Sequence, residues 1–76
     1  MKLEEAVSRR LSKLMEERGL TQYKLSRLGG VPKSTISTII NATYKPRLET
    51  MYQIVATLGI SLKDFFDDPL FDNIDG

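Results

Sequence analysis

Lys33, Ser34, Ser37, Thr38 and Asn41 are the residues of this 76-residue chain whose types and spacing most suggest a chemical task. On a helix they share one side, while Ile36, Ile39 and Ile40 take the i, i+3, i+4 positions of a stripe on the other. One face then offers an ammonium, three hydroxyls and an amide, and the other fastens that face to a core. A helix of this size and chemistry can enter the major groove of DNA. By propensity, Thr35, Ile36, Thr38, Ile39 and Ile40 would favour a strand, because their β-branched side chains are stiff at χ1. Periodicity decides for helix, since the apolar positions do not alternate.

The elements that must hold this face can be read outward from it. Pro32 suits the first turn of the segment, where its fixed φ helps and its missing N–H costs nothing. Gly29-Gly30 separates it from a preceding helix over about residues 22–28, with Thr21 as N-cap, Leu20 packing just before the cap, and Leu25 and Leu28 inward. Before that, Leu3, Val7, Leu11, Leu14 and Met15 recur at helical spacing over residues 3–18, with Gly19 as the stop. Asn41 is expected to end the third helix in the left-handed conformation. Thr43-Tyr44-Lys45-Pro46-Arg47 reads as a loop. Leu48, Met51, Ile54, Val55 and Leu58 mark a fourth helix closed by Gly59. Ser61 to Asp64 resembles a capping box that opens a short fifth helix with Leu62, Phe65 and Phe66. Asp67-Asp68-Pro69 ends it. Leu70, Phe71 and Ile74 follow in an acidic segment that is docked on the body, docked on a partner, or disordered.

Composition narrows the function. Seventy-six residues hold one small domain, and 41% hydrophobic with 28% charged residues is a globular balance. The longest uncharged runs are far short of a membrane span and no secretory signal is visible, so a soluble chain with no membrane role is expected. The net charge of +1 conceals a division: residues 1–50 carry ten Lys/Arg against five Glu, and residues 51–76 carry Lys63 against five Asp. A basic body with an acidic end suits a nucleic-acid binder. With no His and no Cys there is no imidazole base, no thiol nucleophile and no ordinary zinc site. Gly29-Gly30 lacks the flanking spacing of a phosphate loop, and Asp64, Asp67, Asp68 and Asp72 do not form the EF-hand pattern. The expectation is therefore no enzyme, no cofactor and no metal.

The order of these features resembles the Cro/phage-repressor type of helix-turn-helix, also called the xenobiotic-response-element family, over roughly Val7 to Phe66. The resemblance rests on Glu17-Arg18-Gly19-Leu20-Thr21-Gln22, then Leu25-Ser26, Gly30-Val31, Ser34-Thr35-Ile36-Ser37, Ile39 and Asn41. Lys45-Pro46, Leu48-Glu49-Thr50, Leu58-Gly59-Ile60-Ser61-Leu62 and Phe65-Phe66 complete it. It implies an all-α, compact five-helix bundle of the phage-repressor DNA-binding domain type, with the helix-turn-helix at helices 2 and 3. Residues 1–66 would form that domain and 67–76 an acidic C-terminal tail. Four positions, in three departures, differ from the family pattern. Met15 and Ile40 stand where a buried Arg–Glu pair is common, and an apolar contact there is commonly neutral or stabilising. Ser26 replaces a small Ala, which fits if its hydroxyl bonds back to a carbonyl in the preceding turn. Ala42 replaces a Gly.

In the geometry this resemblance implies, the first turns of the third helix reach base edges, and the start of the second helix and the loop after the third meet the sugar-phosphate backbone. The base-reading set is Lys33, Ser34, Ser37 and Thr38, with Lys33 able to donate to guanine O6 and N7. The backbone set is Gln22, Tyr23, Lys24, Thr35, Asn41, Tyr44, Lys45 and Arg47, with Gln22 and the helix N–H groups clamping a phosphate. Arg9, Arg10 and Lys13 read as a solvated face paired with Glu5, Glu16 and Glu17. Met51, Tyr52, Phe65 and Phe66 read as core or dimer contacts.

The expected function is a sequence-specific DNA-binding transcriptional regulator, a repressor, acting as a homodimer on a two-fold operator. The expected dimer surface is the fourth and fifth helices with Leu70, Phe71 and Ile74. The alternative is a protein-interaction adaptor or antitoxin-like regulatory partner on the same fold, gripping another protein through its C-terminal tail. A cytoplasmic, nucleoid-associated protein of bacterial or phage origin fits either reading.

Overall fold

The computed structural model describes residues 1–75. Among them are five α-helices, α1 (Leu3–Glu17), α2 (Gln22–Gly29), α3 (Lys33–Ile40), α4 (Leu48–Leu58) and α5 (Leu62–Phe66), then a single 3-10 turn at Pro69–Phe71, and no strand. The fold is the all-α five-helix arrangement expected.

Local chemistry sets where the helices start and stop. Thr21 Oγ1 accepts the Lys24 N–H at 3.1 Å and Ser61 Oγ accepts the Asp64 N–H at 3.0 Å, so each hydroxyl satisfies a donor that the first turn leaves free. Three helices end alike: a left-handed residue turns the chain, and the next N–H reaches back to a carbonyl five residues earlier. Leu20 N–H bonds Met15 O at 2.9 Å, Ile60 N–H bonds Val55 O at 3.0 Å, and Thr43 N–H bonds Thr38 O at 3.1 Å. Gly19 and Gly59 hold the left-handed position in the first two, with φ of +63° and +78°. At the end of α3 that residue is Ala42, with φ of +58°, and Asn41 remains right-handed at φ −81°. The turn thus falls one residue later than expected, because the six-residue bond to Thr38 requires the reversal at Ala42.

α3 lies between α1 and α2, α2 also packs on α4, and α4 on α5. Leu11, Ile36, Ile54 and Phe65 are fully buried where these helices meet, with Val7, Leu14, Leu25, Ile39 and Val55 around them. Met15 is buried and Ile40 packs against this core, both bordering one depression beside Leu20, where an ion pair would have required desolvation.

Three expectations are corrected. Leu28 is not inward but 69% exposed. The inward side of α2 carries Leu25, Ser26 and Gly29, and Leu28 lies roughly 100° from its centre on the helical wheel. Gly29 faces α4 closely enough that a Cβ there would stand 2.7 Å from Thr57 Oγ1. Ser26 is accommodated by a different bond from the one expected: its hydroxyl donates forward to Val31 O at 2.6 Å, closing the turn between α2 and α3. Arg10 is not part of a solvated face paired along its own helix. Its guanidinium donates to Phe65 O at 2.8 Å and Asp64 O at 2.9 Å, lies 5.9 Å from the Phe65 ring centroid, and pairs with Asp68 at 3.3 Å. The two charged side chains are only 14% and 15% exposed.

That arrangement fixes the acidic C-terminal segment. Asp68 also accepts the Leu70 N–H at 2.9 Å, the 3-10 turn packs on α1, and the Phe71 ring meets Phe65 and Phe66 at 6.1 and 4.9 Å. Of the states left open for this segment, docking on the body is the one observed. Among the described residues no three His, Cys, Asp or Glu side chains gather as a metal-binding group, and no helix is long and apolar enough to cross a membrane.

Candidate nucleic-acid interface

Burial of Ile36 and Ile39 fixes the roll of α3 and turns Lys33 and Ser34 outward at its first turn. Among the described residues no hydrogen-bond partner is found for either side chain, so both can meet a ligand. A lysine at a helix N-terminus opposes the dipole, and that cost is relieved if an anionic or electron-rich surface lies in front of it.

The other two residues expected to read bases are differently engaged. Ser37 is half-buried and its Oγ donates to Gln22 Oε1 at 2.6 Å. Thr38 is half-buried and its Oγ1 donates to Thr35 O at 2.7 Å, leaving that oxygen only as an acceptor. Ser37 therefore connects α3 to the start of α2. Holding the amide oxygen of Gln22 fixes which end of the amide faces Ser37 and leaves its NH2 group with two donors to offer elsewhere.

The start of α2 adds further hydrogen-bond donors. Thr21 caps the Lys24 N–H, which leaves the Gln22 and Tyr23 N–H groups without intrahelical partners at the positive end of the helix. Tyr23 is exposed, and its hydroxyl oxygen accepts from Arg27 at 3.1 Å, so the phenolic proton remains free to donate. Lys24 is exposed beside it, and Thr35 is half-buried. Beyond α3, Asn41, Tyr44, Lys45 and Arg47 are all exposed. Thr43 follows the left-handed Ala42 and bonds Thr38 O through both its N–H and its hydroxyl, at 3.1 and 3.3 Å, so the loop leaves the helix in a fixed direction.

Two positioning contacts had no signal in the sequence. Ser8 of α1 donates its hydroxyl to the Ile40 carbonyl, holding the last turn of α3 from behind. Arg18 Nε donates to Leu58 O at 3.0 Å and closes the end of α4 against α1. Their partners lie 32 and 40 residues away, beyond any local spacing rule.

The arrangement can be compared with known proteins. The pattern defining the helix-turn-helix family HTH_3 matches residues 11–65. The chain belongs to that family. As a helix-turn-helix protein it is 34% identical over 64 residues to the HTH-type transcriptional regulator PuuR of Escherichia coli (strain K12), a match covering 84% of this chain and 35% of PuuR. PuuR of Shigella flexneri matches with the same figures. The chain thus spans about a third of the length of these curated relatives. Among solved structures, an HTH_3 family transcriptional regulator from Vibrio cholerae superposes with a TM-score of 0.82 at 25% identity, covering 88% of this chain and 38% of the other. Prophage Lp1 protein 11 superposes with a TM-score of 0.83 at 33% identity, covering 97% of this chain and all of the other. The helix-turn-helix of the family corresponds to α2 and α3, the two helices joined by the Gln22–Ser37 contact.

Proposed function

We propose that this chain is a DNA-binding transcriptional regulator module that lays α3 in the major groove and acts, as a homodimer and repressor, on a two-fold operator in the cytoplasm of a bacterium or its phage. The observation that carries the reading is the outward first turn of α3, Lys33 and Ser34, set beside the free N–H groups of α2 and braced from behind by the buried Ile36 and Ile39. Family membership and likeness to PuuR, whose name is that of a transcriptional regulator, support it. In this reading Lys33 and Ser34 approach base edges, with Thr38 as a neighbouring acceptor. Gln22, Tyr23 and Lys24 hold one phosphate stretch, and Asn41, Tyr44, Lys45 and Arg47 another.

One copy offers few base contacts, each worth about 1–3 kcal/mol of discrimination, so two copies on related half-sites are the economical route to a useful specificity. The test is selection of bound sequences from random duplex DNA at a stated salt concentration. Enrichment of a two-fold sequence with half-sites about one helical turn (~34 Å) apart is the expected result. Recovery of sequences with no shared motif would defeat the reading.

A further inference from the structure

We propose that the depression between the first turns of α1 and α4 binds a small aliphatic α-amino acid, a zwitterion of about the size of leucine. Leu3, Val7, Pro46, Leu48, Met51 and Phe66 give it apolar walls, and the remaining residues that line it are one acid and one base, Glu4 and Lys45. Its volume is about 180 Å³.

Charge and size together select that ligand. Among the described residues the ion pairs are Met1 with Asp75 and Arg10 with Asp68, so Glu4 and Lys45 share one depression yet are paired neither with each other nor with another charge. A zwitterion supplies what both lack, an ammonium for the Glu4 carboxylate and a carboxylate for the Lys45 ammonium. The volume is below the roughly 300–1,000 Å³ of sites that enclose drug-sized ligands. At roughly 30 Å³ for a water-sized group, about six such groups fill it, which suits one branched aliphatic side chain with its Cα. Because the six wall residues carry no hydrogen-bonding side chain, a polar side chain on the ligand would lose its water without gaining a partner.

Lys45 ties the site to DNA, and this coupling rests on the function proposed above. Its ammonium cannot serve a ligand carboxylate and a DNA phosphate at once, so ligand and DNA weaken each other's binding by the same factor.

Titration of the full chain with L-leucine in the absence of DNA, followed by the Val7 and Met51 methyl signals, tests the site apart from the DNA reading. Saturable shifts with a dissociation constant on the order of 1 mM are expected, since so small a ligand has few atoms to contribute. 4-Methylpentanoate lacks the ammonium and 3-methylbutylamine lacks the carboxylate, and each binds about two- to fivefold more weakly, the scale of one exposed ion pair. Glu4→Gln weakens leucine by a similar factor and leaves 4-methylpentanoate unchanged. Lys45→Met weakens leucine and leaves 3-methylbutylamine unchanged. Absence of shifts up to ~20 mM leucine, well above that constant, overturns the proposal, and so does equal binding of all three compounds. Shifts of the same signals on raising the protein concentration alone would assign the depression to a second copy instead. On the selected duplex, saturating leucine is expected to lower affinity about threefold and to flatten the logarithmic salt dependence by about one, in the wild-type chain and not in Lys45→Met. Leucine that binds the free chain and leaves DNA affinity unchanged overturns the coupling, whereas a chain that binds leucine and no duplex defeats the DNA reading alone.

Discussion

Ser37 Oγ donates to Gln22 Oε1 at 2.6 Å, joining the middle of α3 to the first residue of α2. A part-buried neutral hydrogen bond of this kind contributes about 0.5–1.5 kcal/mol. Ser37→Ala is expected to weaken binding to the selected duplex by roughly three- to tenfold through release of the Gln22 amide. Because both residues would act through one contact, Ser37→Ala added to Gln22→Ala costs little more than Gln22→Ala alone. Fluorescence anisotropy on the four proteins measures this. Additive losses, or a changed base preference in Ser37→Ala, would mean that Ser37 reads a base itself.

Lys33 and Lys45 are both exposed lysines but stand on different parts of the surface. Lys33→Ala is expected to relax base preference at one position per half-site, at a cost of about 1–3 kcal/mol for the preferred base. Lys45→Ala weakens binding to all sequences alike and flattens the logarithmic salt dependence by about one. Binding-site selection repeated at several salt concentrations separates the two. An unchanged preference profile in Lys33→Ala would remove it from the reading set.

Ala42 takes a φ of +58° at a helix end where Gly19 and Gly59 serve elsewhere in the chain. Its Cβ strain costs about 1–2 kcal/mol, and glycine would trade this for a smaller loss of unfolded-state entropy. Ala42→Gly should stabilise the fold by about 0.5–1 kcal/mol, raising the melting temperature by a few degrees in thermal unfolding followed by circular dichroism. A lower melting temperature would show that the turn draws its stability from elsewhere.

Gly29 and Thr57 pack without room for a methyl group, since a Cβ at residue 29 would lie 2.7 Å from Thr57 Oγ1. Gly29→Ala is expected to destabilise by about 1–2 kcal/mol despite alanine's better helix propensity. In a Thr57→Ala background the same substitution becomes neutral or stabilising. A urea double-mutant cycle reads the coupling directly. Equal effects in both backgrounds would remove the contact as the reason for the glycine.

Arg10 joins α1 to α5 and to the acidic segment through two carbonyls, a ring and a carboxylate. Removing it leaves Asp68 poorly solvated and the part-buried Phe65 carbonyl short of a donor. Arg10→Met, which keeps the bulk, is expected to cost about 2–3 kcal/mol and to raise amide hydrogen exchange at Leu70 and Phe71. Unchanged exchange there would show that the aromatic contacts alone hold the turn.

What was legible in the sequence was local. Thr21 and Ser61 announce helix starts because a cap needs only a hydroxyl three residues from its donor. Gly19 and Gly59 announce stops because few other residues take their φ. The outward placement of Lys33 and Ser34 followed from the isoleucine stripe. The outward position of Leu28 is not legible because α2 is too short for its own pattern to fix its roll; the close approach of Gly29 to Thr57 does so from another helix. The role of Arg10 is hidden for a related reason. Nearby glutamates offered it partners at helical spacing, whereas its actual partners lie more than fifty residues away.

α3 has eight residues, and most already have duties within the chain: Ile36 and Ile39 in the core, Ile40 packed against it, Ser37 at Gln22, Thr38 at the Thr35 carbonyl of the same helix. If its first turn reads bases as proposed, what remains outward there amounts to a short word, about two or three base pairs per copy. A vocabulary so small makes the chain easy to retarget. Exchanging Lys33 and Ser34 would rewrite the word while the folded body, which neither side chain supports, stays as it is.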